Sequence, residues 1–321
     1  MTCFKNGSFF FLLCLLVLSP LYARSGAVTY DYENGRFGDS LLNYLHAKWF
    51  SFDKGIPLLY KPFPYSDQLT LSEKEIAYKD KPRRRSLGIG RLIKVHAKYW
   101  PFLSRIRFLK FCYRSNYFPE DPWELNRQKF SNYRVNWKNE QFRKIVKEMI
   151  SPKKPLHLIY PPAGVIGVAL HVREGGDFDP LSSRLHFPLK FPPLDFYADG
   201  LKAVMAQFPD RELYCYLFTD AKNPAQIAAQ LRDRLPPAAL VQFHFREKNN
   251  HGEANVLEDF FSLFNFEVLI RSQSNFSIIP SLIHDFAFVY APKDCLVEGN
   301  SIVITEVEMV LNTILCQKKV Q

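Results

Sequence analysis

The stretch VIGVALHVREGGDFD, residues 165–179, decides how the chain folds. Val165 to Leu170 is an unbroken apolar run of strand length, as a parallel strand buried on both faces requires. It delivers His171-Val172-Arg173-Glu174-Gly175-Gly176-Asp177-Phe178-Asp179 at its carboxyl end. In an open α/β sheet that edge is where ligands sit. An Arg there forks onto a phosphate through two charge-assisted hydrogen bonds, and Gly175 and Gly176 let the backbone come close.

Toward the C-terminus the pattern repeats. Strand-like runs at 213–218, 240–245, 267–270 and 286–290 alternate with helix-like segments at 195–207, 223–234, 255–264, 277–284 and 305–316. This alternation predicts a parallel sheet covered by helices on both faces. A second constellation begins at Glu258-Asp259-Phe260-Phe261-Ser262-Leu263, passes through apolar Val268-Leu269-Ile270, and ends in Ser272-Gln273-Ser274-Asn275-Phe276-Ser277 before a helix. Ser274 or Ser277 at that helix N-terminus would cap it and hold an anion through hydroxyl and N–H groups.

Toward the N-terminus, Lys153-Lys154-Pro155 and Pro161-Pro162 read as a hinge between residues 24–158, an acceptor-side domain, and residues 159–321, a ligand-binding domain. A strand at 27–31 runs into Asn34-Gly35-Arg36-Phe37-Gly38-Asp39, and Leu41, Leu42, Leu45 and Trp49 then mark one face of a helix. Strand, glycine loop and helix N-terminus together present backbone N–H groups to an anion or a sugar hydroxyl. Before them, Lys5, the apolar run Phe9 to Leu18, Ser19-Pro20 and Ala23 read as a signal peptide over residues 1–23, too short for the about 20 residues of a membrane helix. The chain is therefore expected to enter the secretory pathway, as a lumenal, membrane-associated or secreted protein. Cleavage would leave Cys112, Cys215, Cys295 and Cys316, which an oxidising compartment permits to pair.

With 321 residues, 47% hydrophobic and 15% aromatic, the chain buries a large core, which excludes a disordered protein or a single small module. Its net charge of +10 favours an anionic partner. Between Lys74 and Arg114 stand 13 Lys or Arg against Glu75 and Asp80, a surplus of +11, so the rest of the chain is nearly neutral. The spacing of Tyr99, Phe102, Ile106, Leu109 and Tyr113 predicts a helix with a buried aromatic stripe and a solvated basic face. Membrane-surface contact through 74–114 is the alternative, and the expected secretory leader argues against nucleic acid.

Three of these stretches resemble the fucosyltransferase superfamily of α-1,2-, α-1,6- and protein O-fucosyltransferases. The α-1,2 branch opens with Gly-Arg-Leu-Gly-Asn-Gln before a helix, and this chain has Gly35-Arg36-Phe37-Gly38-Asp39-Ser40. The shared His-hydrophobic-Arg block stands as His171-Val172-Arg173, and the family's strand end as Phe218-Thr219-Asp220. Glu258 to Ser277 follows the Glu-Asp-Phe, helix, strand, Ser-x-Ser-x-Phe-Ser pattern without a gap. Two departures stand out: Glu174 where many members have a second Arg, and Asp39-Ser40 where the α-1,2 branch has Asn-Gln.

The resemblance implies an α/β, GT-B-like fold: two Rossmann-like domains, with a parallel sheet in the C-terminal half. It implies an inverting, metal-independent transfer from GDP-fucose or a related nucleotide sugar to a glycan or protein acceptor, with no cofactor. Arg173 would bind the β-phosphate and His171 would lie near the base or ribose. Asp259 would accept from the guanine amino group, Ser274, Asn275, Phe276 and Ser277 would cradle the diphosphate, and Gly35, Arg36, Gly38, Asp39 and Asp220 would complete the site. Asp177 and Asp179 are within reach as general base, with Glu174 a third candidate. Two other readings stand beside this one. Asp177-Phe178-Asp179 fits the Asp-x-Asp pattern of metal-dependent transferases, and Glu174 in place of Arg fits a scaffold that binds a glycan or nucleotide without turnover.

Overall fold

The computed structural model describes residues 26–31, 35–78, 93–105, 111–115, 120, 134–175, 179, 181–248 and 254–320. The leader reading of 1–23, and Gly176 and Asp177, lie outside them. Secondary structure alternates between strand and helix through most of the chain, and the result is the expected α/β fold.

The C-terminal half is built on six strands: β6 (Ile166–Val172), β7 (Leu213–Thr219), β8 (Val241–Phe245), β9 (Val268–Arg271), β10 (Phe288–Glu298) and β11 (Ser301–Leu311). Their order is β11-β10-β9-β6-β7-β8, with β11 alone antiparallel to its neighbour. All seven residues of β6 are buried, which is why its sequence is apolar without alternation. Val168 and Leu170 enter one core with the helix Leu194–Gln207, while Ala169 enters a second on the opposite face with Phe218, Phe266 and Leu269. From β6 the chain builds outward through β7 to β8, then returns to lay β9 on the other side of β6. The gap between the carboxyl ends of β6 and β9 is therefore a topological switch point, the crevice in which open α/β sheets bind ligands.

The N-terminal half holds a parallel sheet β1-β5-β4, from β1 (Gly26–Tyr30), β5 (Phe111–Ser115) and β4 (Ile93–His96), and a parallel pair β2 (Leu59–Tyr60) and β3 (Ile76–Ala77). Helix α1 (Phe37–Lys54) covers the sheet with Leu41, Leu42, Leu45 and Phe50 and ends at Gly55, whose φ of 61° suits a glycine C-cap. Its core extends into the other half. Leu257 and Phe260 of α2 (Val256–Ser262) and Ile279 and Ile283 of α3 (Asn275–Ile283) join the same cluster.

Two expected elements differ. The helix expected over 305–316 is instead the edge strand β11, followed by a short helix over Thr313–Val320. Glu298 pairs with Ser301 across Gly299-Asn300, and Gly299 has a φ of 61°, so a two-residue loop turns the chain back as a hairpin. The aromatic stripe expected on one helix over 99–113 is broken up as well. Tyr113 sits buried in strand β5, whereas Phe102, in a single helical turn, is 71% exposed.

Candidate active site

Both halves contribute to one open cleft at the switch point. Arg36, Phe37, Gly38 and Asp39 line it from the N-terminal end of α1. His171 and Arg173 come from the end of β6, Phe218, Thr219 and Asp220 from the end of β7, and Asp259, Ser274 and Phe276 from α2 and α3. Each strand stops there because its apolar run gives way to groups that need water or a polar partner.

Two helix N-termini meet in this cleft. A Cβ on Gly38 would lie 2.6 Å from the backbone nitrogen of Phe276, so only glycine lets the first turns of α1 and α3 touch. The side-chain amide of Asn275 donates to Asp39 Oδ1 at 2.6 Å and ties the two turns together. The first-turn N–H groups of a helix lack intrahelical acceptors, and the macrodipole adds partial positive charge, so the paired ends favour an anion.

Two guanidinium groups reinforce that field. Arg36 Nη2 lies 3.0 Å from Asp179 Oδ2, and Arg173 Nη2 hydrogen-bonds the same oxygen. Arg173 Nη1 also donates to the Ser274 hydroxyl at 3.3 Å, and its guanidinium carbon lies 5.4 Å from the centre of the Phe191 ring. Its buried Nε has no hydrogen-bond partner among the described residues. Burial raises the Asp179 carboxyl above the usual carboxylate range, although Arg36 pulls it down. Asp220 organises the loop: its Oδ1 accepts from the backbone N–H of Glu174 at 2.7 Å and of Gly175 at 3.2 Å, and Oδ2 lies 3.6 Å from Arg36 Nη1.

His171 stacks on Phe276 with ring centres 5.4 Å apart. Burial lowers its pKa to about 4, against the pull of Asp220, so the imidazole is neutral at physiological pH. Asp259 is paired with Arg246 at 2.8 Å, and burial nevertheless raises its carboxyl. Arg246 is absent from the sequence-based site, yet it follows β8 directly, at the same carboxyl edge that singles out Arg173.

Not every expected residue takes the place or role that the sequence suggests. Ser274 is the N-cap of α3 by position, but its hydroxyl makes no capping bond and serves Arg173 instead. Ser277 is fully buried and donates to the Ser272 and Ser274 carbonyls, Asn275 is turned to Asp39, and Gly35 packs under Asp39. The Glu174 carboxylate points to Arg184, 3.3 Å away, rather than into the cleft. Asp179 of the Asp-x-Asp pattern has its carboxylate engaged by Arg36 and Arg173, a cationic setting for a supposed metal ligand.

Sheet order, shared cleft and paired helix ends define an α/β fold of the two-sheet GT-B kind. No protein-family model and no curated protein matches the sequence. Among solved structures, the fold is similar to that of a mutant of Arabidopsis thaliana FUT1 in complex with GDP, at 11% identity and a TM-score of 0.53, over 92% of this chain and 76% of that one. It is also similar to the α-1,6-fucosyltransferase NodZ soaked with GDP-fucose, at 15% identity and 0.48, over 90% and 99%. A third is POFUT1 in complex with GDP-fucose, at 11% and 0.44, over 84% and 96%.

Proposed function

We propose that the chain is a glycosyltransferase that uses a nucleoside-diphosphate sugar, with GDP-fucose its donor. The observation that carries this reading is the convergence of Arg36, Arg173 and two helix N-termini on one point of the switch-point cleft. That is a site for a small, multiply charged anion. The fold shared with a FUT1 mutant whose structure is in complex with GDP, and the Gly35-Arg36, His171-Val172-Arg173 and Glu258–Ser277 motifs, support a guanosine diphosphate as that anion.

On this reading the diphosphate takes both guanidinium groups from Asp179 and lies against the first turn of α3. The neutral His171 faces the base or ribose, and Asp259 meets the guanine amino group. An acceptor hydroxyl oxygen bonds to the anomeric carbon from the face opposite the departing phosphate, inverting it. The anomeric carbon–oxygen bond breaks with its electron pair leaving on the diphosphate, and the hydroxyl proton goes to Asp179. Burial raises that carboxyl toward the range of a useful base, and losing its two arginine partners frees it for the task. Arg36 and Arg173 meet charge that grows as the bond breaks, so they stabilise the transition state more than the ground state, without a metal.

Calorimetry with GDP and a GDP-fucose transfer assay test the proposal together. We expect GDP to bind and Arg173→Ala to lower transfer on the order of 100- to 1,000-fold. Binding without transfer to any acceptor would support the inactive scaffold, and the absence of GDP binding would overturn the reading.

A further inference from the structure

The carboxyl ends of five strands in the N-terminal half deliver side chains to a second spot, none of which lines the cleft. Asp31 follows β1, Lys61 follows β2 and Tyr78 follows β3, while His96 closes β4 with Lys94 two residues before it on the same face, and Arg114 lies one residue from the end of β5. The alternation of strand side chains explains the grouping: Val28, Tyr30, Phe111 and Tyr113 enter the core under α1, so Ala27, Asp31, Cys112 and Arg114 face the other way. Lys61 Nζ lies 2.7 Å from Asp31 Oδ1, and Arg114 Nη1 lies 3.2 Å from Oδ2. The ammonium groups of Lys61 and Lys94 lie 4.9 and 5.4 Å from the centre of the Tyr78 ring.

Among the described residues, Lys61, Lys94 and Arg114 face one carboxylate, Asp31, so the group they form is positive. Burial, with the charges of Lys98 and Arg114, holds His96 below the usual imidazole range. Lys94 and Arg114 are exposed to solvent. Asp31 argues for what the patch accepts. An unrelieved polyphosphate would be repelled by it, whereas sugar hydroxyls are donors that a carboxylate receives. A half-buried tyrosine ring flanked by cations suits the apolar face of a sugar that carries acidic groups.

We propose that this patch binds an acidic saccharide: Arg114, Lys94 and Lys61 meet its carboxylates, Asp31 accepts its hydroxyl protons and the Tyr78 ring packs beneath it. Its role as acceptor rests on the glycosyltransferase reading, while binding itself does not. The side-chain amide of Asn43 donates to the Asp31 carbonyl, so the patch borders α1, the helix whose N-terminal end lines the cleft.

The test is calorimetry of the full chain with tetragalacturonate and with its methyl ester. We expect the acid form to bind, the ester to bind at least ten-fold more weakly, and the affinity to fall with added salt. Arg114→Ala combined with Lys94→Ala should weaken binding on the order of ten-fold or more while circular dichroism and GDP affinity stay unchanged. Equal affinity for the ester, or unchanged binding in the double variant, overturns the proposal. So does tighter, variant-sensitive binding of phosphatidylglycerol vesicles or duplex DNA than of tetragalacturonate. Loss of GDP binding with tetragalacturonate binding intact would count against the donor site alone.

Discussion

Gly38 sits so close to Phe276 that a single added carbon would lie 2.6 Å from the Phe276 nitrogen. The obstacle is backbone, which cannot swing aside as a side chain does. Gly38→Ala should therefore push the first turns of α1 and α3 apart and weaken the field that both helix ends aim into the cleft. GDP affinity should fall about ten-fold or more, consistent with losing one dipole contribution of about 1–2 kcal/mol. Calorimetry on the variant reads this directly, and wild-type affinity would mean that the two helix ends do not act together.

Phe260 joins the halves beneath the same cleft. It is fully buried, with its ring 5.2 Å from Phe37 of α1 and 5.6 Å from Phe276 of α3. Truncation leaves a cavity that three elements line, and neither sheet can collapse to fill it. Phe260→Ala should cost about 3–5 kcal/mol in urea-induced unfolding. A cost below about 1 kcal/mol would show that the aromatic cluster does not hold the halves together.

How much of this is legible in the sequence follows from how local each signal is. Burial on both faces leaves β6 apolar throughout, and the leucines of α1 recur at helical spacing even though that helix is buried on nearly every side from Ser40 to Ala47, so both stand out. Their ends also reveal Arg36 and Arg173, because a charge at the carboxyl end of a buried strand, or at a helix start, is costly unless a partner or a ligand meets it. The hairpin of β10 and β11 has a local signal too: Gly299-Asn300 between Leu296-Val297 and Ile302-Val303, with β-branched residues dominating beyond, which outweighs the helical spacing over 305–316. The aromatics of 99–113 show the limit of periodicity, since Tyr113 shares a strand face with Phe111 yet also fits helical spacing when taken with Tyr99 and Phe102. The pairing of Arg36 with Asp179, 143 residues apart, and of Arg246 with Asp259 arises only when the chain folds, so no spacing rule announces it.

Stability should depend on pH through two histidines. His171 and His284 both have pKa values lowered to about 4, mainly by burial, against 6.5 unfolded. Between those values the unfolded chain binds protons that the folded chain does not, so the slope of unfolding free energy with pH is positive. The contribution of each is complete above about pH 6.5 and is lost progressively as pH falls toward 4. Urea unfolding at pH 7.5, 6.5, 5.5 and 5.0 should show this decline, and His284→Gln should remove about half of its slope. A flat profile across that window would mean that neither imidazole is held neutral.

Asp179→Asn separates two tasks of one side chain. In the unliganded protein its carboxylate competes with a diphosphate for Arg36 and Arg173, and a neutral amide competes far less. Removing that competition, worth about 1–2 kcal/mol for partly buried charges, should tighten GDP binding on the order of ten-fold. The amide cannot take the acceptor proton, so the turnover number should fall about 100- to 10,000-fold. A purely structural carboxylate would give the opposite pairing, with weaker GDP binding and turnover lowered only in proportion. Tighter binding with wild-type turnover would keep Asp179 as a placeholder for phosphate and transfer the base role to another group.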